Sequence, residues 1–301
     1  MEETKLLGGK IKGKNKPIKS NDRTFPVLEA ADMTNWVCIY ENKFYDDADY
    51  FNKTLIEASK AFGFKIKDPK WVELPNYSEP KDWIQKAEEY FPQDEESNYD
   101  FVVFLLGKND KNDKKDDILY TALKKHSLCR NGYISQVVKL SSLRKNTKSV
   151  CSKILLQINA KLGGISYKIN LDKETKDKRL MIVGVDSSHI KGMRTGIAMV
   201  ASINDSFTDF YNKEEIIEEE NKSQLKFCIS AFLEEAVAEF KKNKINKGQK
   251  PKGIIIYRQG VSLQQKEYLK DEIALINDYC KDKEIKFYYI LVNTKTNFKF
   301  F

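Results

Sequence analysis

Between residue 25 and about residue 170, short apolar runs alternate with segments that have the periodicity of amphipathic helices. Trp36–Tyr40 and Phe101–Leu106 are two such runs, and strands that are covered on both faces have this composition. Between them, Asp47–Phe62 predicts a helix that ends at Gly63. Strands that alternate with helices predict an open, doubly wound α/β sheet, in which ligands bind beyond the carboxyl ends of the strands.

Beyond a charged segment at residues 172–179, the predicted elements follow a different order. Three successive strands are followed by a helix, a strand, a helix and a strand, which is the order of the RNase H-like fold. In chain order these elements are Leu180–Asp186, Gly196–Ser202, Phe207–Tyr211, about Gln224–Phe240 (burying Phe227, Ala231, Leu233 and Val237), Ile254–Tyr257, Gln264–Cys280 and Ile285–Val292. Two hydrophilic segments, Lys108–Asp117 and Glu215–Glu220, are predicted to be loops.

The stretch from Tyr120 to Gly164 contains many hydrogen-bond donors on two helix-like segments and the short strand between them. The donors that we expect to lie within reach of one another are Tyr120, Lys124, Gln136, Gln157 and Lys161. Lysines supply charge, while amides and a phenol supply directed hydrogen bonds, so the set suits a multiply charged anion such as a phosphate. The alternative is a solvated helix face, and spacing alone favours that alternative.

This stretch resembles the MID domain of the Argonaute/Piwi family, and within it the Piwi branch. Tyr120, Lys124, Gln136 and Lys161 have the spacing of the residues with which that family binds the 5′ phosphate and first base of a guide strand. Leu162-Gly163-Gly164 follows in both, and Gln157 stands where the Piwi branch has a glutamine. The resemblance implies RNA-mediated gene silencing, with a small guide RNA, its paired target RNA and silencing-complex proteins as partners. It requires no cofactor, although a Mg²⁺ ion at the 5′-phosphate pocket is an open option.

Three later segments resemble the PIWI domain, the RNase H-like nuclease domain of the same family, in their order and spacing. They are Gly184–His189, Ile254–Ser262 and Val292–Phe301. We therefore expect a flexible basic arm or linker remnant over residues 1–24, a MID domain over residues 25–171, and a partial, C-terminally truncated PIWI domain over residues 172–301.

The catalytic ligands that the resemblance implies are largely replaced. A catalytic PIWI domain holds two Mg²⁺ ions with acidic side chains, and Asp186 matches the first of them. Gln259 stands where the family has an aspartate, and Gln224 falls at or near its glutamate, with Glu218–Glu220 close by. A fourth ligand would lie beyond Phe301. Because Mg²⁺ is held mainly by carboxylates, we expect Asp186 to be a remnant, with no catalytic residue and no metal in this domain.

Three functions from different classes stay open at this point. The first is a module that binds the 5′-phosphorylated end of a guide RNA without cleaving the target. The second is a guide-directed RNA endonuclease, which would require acids at Gln224 and Gln259 and more chain after Phe301. The third is a truncated paralogue that acts only as a protein-interaction piece, and the sequence does not separate it from the first.

Composition adds weaker constraints. The net charge of +8, from 52 basic and 44 acidic residues, favours a polyanionic partner. The five cysteines are scattered without a CxxC pair, which argues against a zinc site and against a disulfide framework. No apolar run approaches the ~20 residues of a membrane span. We expect a reduced, soluble, intracellular protein of the cytoplasm, the nucleus or both, without a membrane partner.

Overall fold

The computed structural model describes most of the chain and divides it into two compact units. The units are Lys5–Tyr167 and Lys168–Phe301. The described residues are 6–11, 14–19, 22, 24–107, 113–143, 146–170, 179–189, 194–218, 225–259 and 266–292. No helix in these ranges has both the length and the apolar composition that crossing a membrane requires.

The first unit is built on a parallel sheet of four strands with helices on both faces. Its strands are β1 (Leu6–Ile11), β2 (Lys14–Ile18), β3 (Asp32–Met33), β4 (Trp36–Glu41), β5 (Lys65–Ile66), β6 (Lys70–Leu74), β7 (Phe101–Leu106) and β8 (Ile134–Lys139). Its helices are α1 (Tyr45–Phe62), α2 (Pro80–Glu88), α3 (Asp113–Cys129), α4 (Leu140–Leu143) and α5 (Thr147–Lys161). The sheet order is β6-β4-β7-β8, which makes β8 an edge strand.

Side chains on the two faces of this sheet enter two separate apolar cores. In β4, Trp36 and Cys38 pack against α1 and α5, whereas Val37 and Ile39 pack on the α2 and α3 side. Successive residues of a strand point to opposite faces, so covering both faces requires a strand that is apolar throughout. The prediction of a doubly wound α/β sheet is confirmed.

The second unit contains a five-stranded mixed sheet. Its elements are β9 (Lys168–Ile169), β10 (Leu180–His189), β11 (Arg194–Ser202), β12 (Phe210–Glu218), α6 (Leu225–Lys242), β13 (Gly253–Arg258), α7 (Lys266–Asp282) and β14 (Lys286–Leu291). The order is β12-β11-β10-β13-β14, with an antiparallel meander β10-β11-β12 and with β13 and β14 parallel to β10. The predicted RNase H-like order of elements is confirmed.

The expectation of a flexible arm over residues 1–24 is wrong for residues 6–11 and 14–18. β1 and β2 pair in an antiparallel arrangement, and the N–H of Gly9 donates to the carbonyl oxygen of Pro26 at 2.6 Å. A Cβ atom on Gly9 would lie 2.2 Å from the carbonyl oxygen of Val27. Gly9 therefore allows two backbone segments to approach closely. The composition of residues 1–24 indicates only flexibility.

Two predicted loops are partly regular structure. α3 begins at Asp113, inside the predicted loop Lys108–Asp117. The third strand of the second unit is β12, not Phe207–Tyr211, so residues 215–218 of the predicted acidic loop belong to a strand. Of the nine residues of β12 only Ile217 is buried. An edge strand that is exposed in this way lacks the alternation of apolar and polar residues from which a strand is predicted.

The prediction for the buried face of α6 is half right. Leu233 and Val237 are buried, but Phe227 is 56% exposed and Ala231 is also exposed. The buried stripe follows the three- and four-residue spacing of a helix face and consists of Ile229, Phe232, Leu233, Ala236, Val237 and Phe240. The charged hinge at residues 172–178 lies outside the described residues.

Candidate anion-binding site

Four of the five residues predicted to bind a phosphate meet at the edge strand β8. The Lys161 ammonium donates to the carbonyl oxygen of Ser135 at 2.7 Å and to Oε1 of Gln136 at 2.8 Å. Gln136 in turn donates from Nε2 to Oε1 of Gln157 at 3.1 Å. The Lys124 ammonium reaches the same Ser135 carbonyl oxygen at 3.0 Å. The two lysines therefore share one main-chain oxygen, and the two glutamines extend the network from Lys161.

The position of β8 explains why helices from both faces of the sheet converge there. α3 carries Lys124 and packs on one face, while α5 carries Lys161 and packs on the other. An edge strand has no partner strand on its outer side, so its backbone groups there are open to side chains. The carbonyl oxygen of Ser135 can then accept hydrogen bonds from two ammonium groups.

The electrostatics of this cluster are those of a cationic site without a counter-ion. Within the described ranges, neither Lys124 nor Lys161 forms an ion pair with a carboxylate. Partial withdrawal from water and, after it, the neighbouring Lys124 charge together lower the pKa of Lys161 to about 8. Burial also lowers the pKa of Lys124. An anion placed between the two ammonium groups would reverse both effects.

The end of α5 is built to place Lys161 in the last helical turn. Gly163 has φ +83°, and the N–H of Gly164 donates to the carbonyl oxygen of Asn159 at 2.8 Å, which is a Schellman termination. A Cβ atom on Gly164 would lie 2.1 Å from Oδ1 of Asn159. That oxygen accepts a hydrogen bond from the N–H of Ala31 at 2.8 Å. Because Gly164 has no side chain, it leaves the space that the Asn159 side chain needs to make this bond.

Tyr120 is the member of the predicted set that the structure does not join to the others. It lies on α3 one turn before Lys124, on the same face of the helix, and its side chain is 43% exposed. In the part of the chain that the structure describes, it makes no hydrogen bond to the other four residues. A role for its ring stays a prediction.

Ser135 has no role in the sequence prediction, although two lysines bind it. The oxygen that both lysines share is its carbonyl oxygen, and every residue has one, so residue type carries no signal for that contact. Only the position of the residue on an edge strand between two lysine-bearing helices distinguishes it. The sequence could have indicated this position if the strand order had been known.

The residues matched to a nuclease centre lie apart from this cluster, in the second unit. Asp186 is exposed on β10, and its Oδ1 accepts from the N–H of Ser187 at 2.8 Å. Gln259 follows β13, is exposed, and donates its N–H to the carbonyl oxygen of Val185 at 2.9 Å. Asp186 therefore lies beside Gln259, where β13 has just ended and its neighbour β10 continues to His189.

Carboxylates near Asp186 are few in the described part of this unit. A cavity of about 560 Å³ is lined by Asp186 and by Glu214 and Glu215 of β12. Glu218 is instead paired with Arg194 at 2.8 Å. The described residues contain no group of three or more His, Cys, Asp or Glu side chains that could hold a metal ion. Gln224, Glu219 and Glu220 lie outside the described residues.

Comparison with known proteins gives a consistent family. The Piwi domain matches residues 101–301. The chain is 27% identical over 294 residues to Protein argonaute-3 of Drosophila melanogaster, covering 96% of this chain and 32% of that protein. It is 30% identical over 275 residues to Piwi-like protein Ago3 of Bombyx mori, covering 89% and 28%. The chain thus spans about a third of the length of these relatives.

Solved structures show the same fold at lower sequence identity. Drosophila Piwi matches with a TM-score of 0.75 and 18% identity, covering 97% of this chain and 40% of that one. Kluyveromyces polysporus Argonaute, solved with a guide RNA, matches with a TM-score of 0.68 and 15% identity, covering 94% and 34%. The chain therefore has the fold seen in these Argonaute and Piwi structures.

Proposed function

The chain belongs to the Piwi family, and on this premise we propose that it binds the 5′-phosphorylated end of a small guide RNA in an RNA-silencing pathway, without cleaving a paired target. The observation that carries this proposal is the pair of ammonium groups on the Ser135 carbonyl oxygen, flanked by the Gln136 amide and paired with no carboxylate of the described residues. The guide RNA in the Kluyveromyces polysporus structure supports this class of ligand.

A terminal phosphate would supply negative charge to this cluster of lysines and amides. Its negative charge offsets both the mutual repulsion of Lys124 and Lys161 and their partial removal from water. Each hydrogen bond to a charged group is worth about 1.5–3 kcal/mol, and a 5′-hydroxyl end cannot provide the charge. The exposed ring of Tyr120 is available to stack on the first base, which contributes about 1–3 kcal/mol for each base stacked on an aromatic ring.

A binding titration with matched RNAs tests this function. We expect the protein to prefer 5′-phosphorylated over 5′-hydroxyl single-stranded RNA of the same sequence. Lys124→Ala or Lys161→Ala should lower that preference by about 10- to 150-fold. Lys125→Ala is the matched control, because it removes the same charge from an exposed position next to Lys124. Equal affinity of the wild-type protein for the two RNAs would overturn the proposal.

The phosphate site should work without a metal ion. Its described donors are two ammonium groups and two amides, which supply the positive charge themselves and repel a cation. We therefore expect the preference for the 5′ phosphate to persist in EDTA. A preference that disappears with EDTA and returns with Mg²⁺ would mean that the ion is a required part of the site.

The absence of cleavage rests on charge at the second unit. Two Mg²⁺ ions need several converging carboxylates, and Gln259 offers a neutral amide beside Asp186. These residues do not fit a two-metal centre. The test is a labelled, fully complementary target incubated with the guide-loaded protein in Mg²⁺ or Mn²⁺. A product cut opposite the middle of the guide would refute this part of the proposal.

A further inference from the structure

A closed chain of hydrogen bonds begins and ends at Lys124. The Lys124 ammonium lies 3.0 Å from Oγ of Ser135, which lies 2.9 Å from Oγ of Ser127. The Ser127 hydroxyl donates to the carbonyl oxygen of Lys124 itself, at 3.3 Å. We propose that Ser127 and Ser135 are positioning residues that hold the Lys124 ammonium ready for an anion. The identity of that anion as an RNA 5′ phosphate rests on the function proposed above.

One assignment of the protons satisfies every group in this ring. An ammonium group can only donate, so Oγ of Ser135 accepts from Lys124. The single proton of Ser135 is then donated to Oγ of Ser127, and the proton of Ser127 to the Lys124 carbonyl oxygen. Each hydroxyl donates once and accepts once. No hydroxyl donor is left over, so the ring is complete without water.

Burial makes the two hydroxyls depend on each other. Ser127 is fully buried and Ser135 is 3% exposed, so solvent does not replace a lost partner. Removing the Ser127 hydroxyl therefore leaves the proton of Ser135 without its acceptor. Ser135 can then satisfy that proton only by turning its hydroxyl away, which weakens its bond to the Lys124 ammonium.

The ring also connects a helix to the strand where the anion site forms. Ser127 belongs to α3 and Ser135 to β8, directly before Gln136. A lysine side chain has many rotamers in solution. Restricting them before the anion binds reduces the conformational entropy that is lost on binding. The serine pair is thus a device for preorganising one of the two charges.

The first test needs no RNA. Acetylation of lysines by an amine-reactive reagent is followed by mass spectrometry in the wild-type protein, Ser127→Ala and Ser127→Cys. We expect a several-fold faster modification of Lys124 in both variants, with Lys125 unchanged. The cysteine variant keeps the volume of the side chain and serves if the alanine variant does not fold. Unchanged modification of Lys124 in a folded variant would overturn the inference.

Ser59→Ala is the matched control for both tests. Ser59 is 2% exposed on α1, and its hydroxyl donates at 2.8 Å to the carbonyl oxygen three residues earlier, as that of Ser127 does. It therefore reports the general cost of removing a buried helical hydroxyl. Modification of Lys124 that rises equally in Ser59→Ala would also overturn the inference.

The second test is a double-mutant cycle on the preference for 5′-phosphorylated RNA. Ser127→Ala should lower the preference by about two- to tenfold in the wild-type background and leave it unchanged in Lys124→Ala. An equal loss in both backgrounds would identify a merely structural role and refute positioning. If the wild-type protein shows no preference at all, the proposed function fails, while the acetylation result still decides whether the serines position Lys124.

Discussion

The pKa of Lys161 leads to a pH dependence that can be worked out before any measurement. Partial withdrawal from water and the nearby Lys124 charge lower this pKa to about 8. A bound phosphate stabilises the charged lysine, so binding above that pH requires the uptake of a proton. The preference for 5′-phosphorylated RNA is therefore complete below about pH 8 and is lost as the pH rises through this value.

The expected size follows from the fraction of Lys161 that is protonated. For a pKa of about 8, this fraction falls from roughly nine-tenths near pH 7 to roughly one-tenth near pH 9, so the preference falls by about tenfold. The second pKa of a phosphate monoester is about 6, so the ligand keeps its charge over the same interval. The lysine is thus the group that changes.

The assay is the ratio of the dissociation constants of 5′-hydroxyl and 5′-phosphorylated RNA, measured at several values between about pH 7 and pH 9. Taking the ratio removes pH effects that both RNAs share, such as titration of distant side chains. The Lys161→Ala variant should have a low ratio that does not change over the interval. A constant ratio in the wild-type protein, or a tenfold fall that persists in Lys161→Ala, would refute the reasoning.

Three further predictions concern stability, each measured as the free energy of unfolding in urea. Without RNA, the wild-type protein should gain stability relative to Lys161→Ala as the pH rises from about 8 towards the ordinary lysine value of 10.5, because the unfolded chain then binds more protons. Glu272→Gln should cost about 3–5 kcal/mol, because the Nε of the buried Arg258 guanidinium lies 3.3 Å from Oε1 of Glu272, and this carboxylate is its counter-charge among the described residues; a cost below 1 kcal/mol would contradict this. Gly163→Ala should cost about 1–2 kcal/mol because the backbone of Gly163 is left-handed. Gly164→Ala should cost more, because its Cβ would displace Asn159. A larger cost for Gly163→Ala than for Gly164→Ala would contradict this account of the helix end.

The parts of the fold that the sequence predicts well are those where burial imposes a pattern. β7 is apolar at all six positions because helices cover both of its faces, and α1 ends at Phe62 because Gly63 adopts φ +82°. The errors occur where burial imposes nothing. β12 has a single buried residue, and the segment that became β1 owes its structure to backbone contacts of its glycines. Such contacts depend on distant parts of the chain, which composition does not record.

The same distinction applies to the candidate site: residue type predicts its side chains but not its main-chain oxygen. Lys124, Gln136, Gln157 and Lys161 were predicted from their spacing and from a family resemblance, and the structure brings them together. The oxygen that the two lysines share belongs to the main chain of Ser135. Serine hydroxyls such as that of Ser127 often donate a hydrogen bond to a carbonyl oxygen of the preceding helical turn, so a serine in a helix predicts no role by itself.

The positions of the lysine and glutamine polar atoms distinguish an anion site from a solvated helix face. Spacing alone favoured a solvated face, on which lysine ammonium groups extend into water and pair with carboxylates of neighbouring turns. Lys124 and Lys161 instead turn inward to one carbonyl oxygen, and Gln136 is only 8% exposed although it lies on an edge strand. A protein gains nothing in stability from holding two ammonium groups together in this way, because their charges repel each other and both lose water. The arrangement is explained when a third group carrying negative charge joins them, and a terminal phosphate has the charge and the acceptor oxygens to do so.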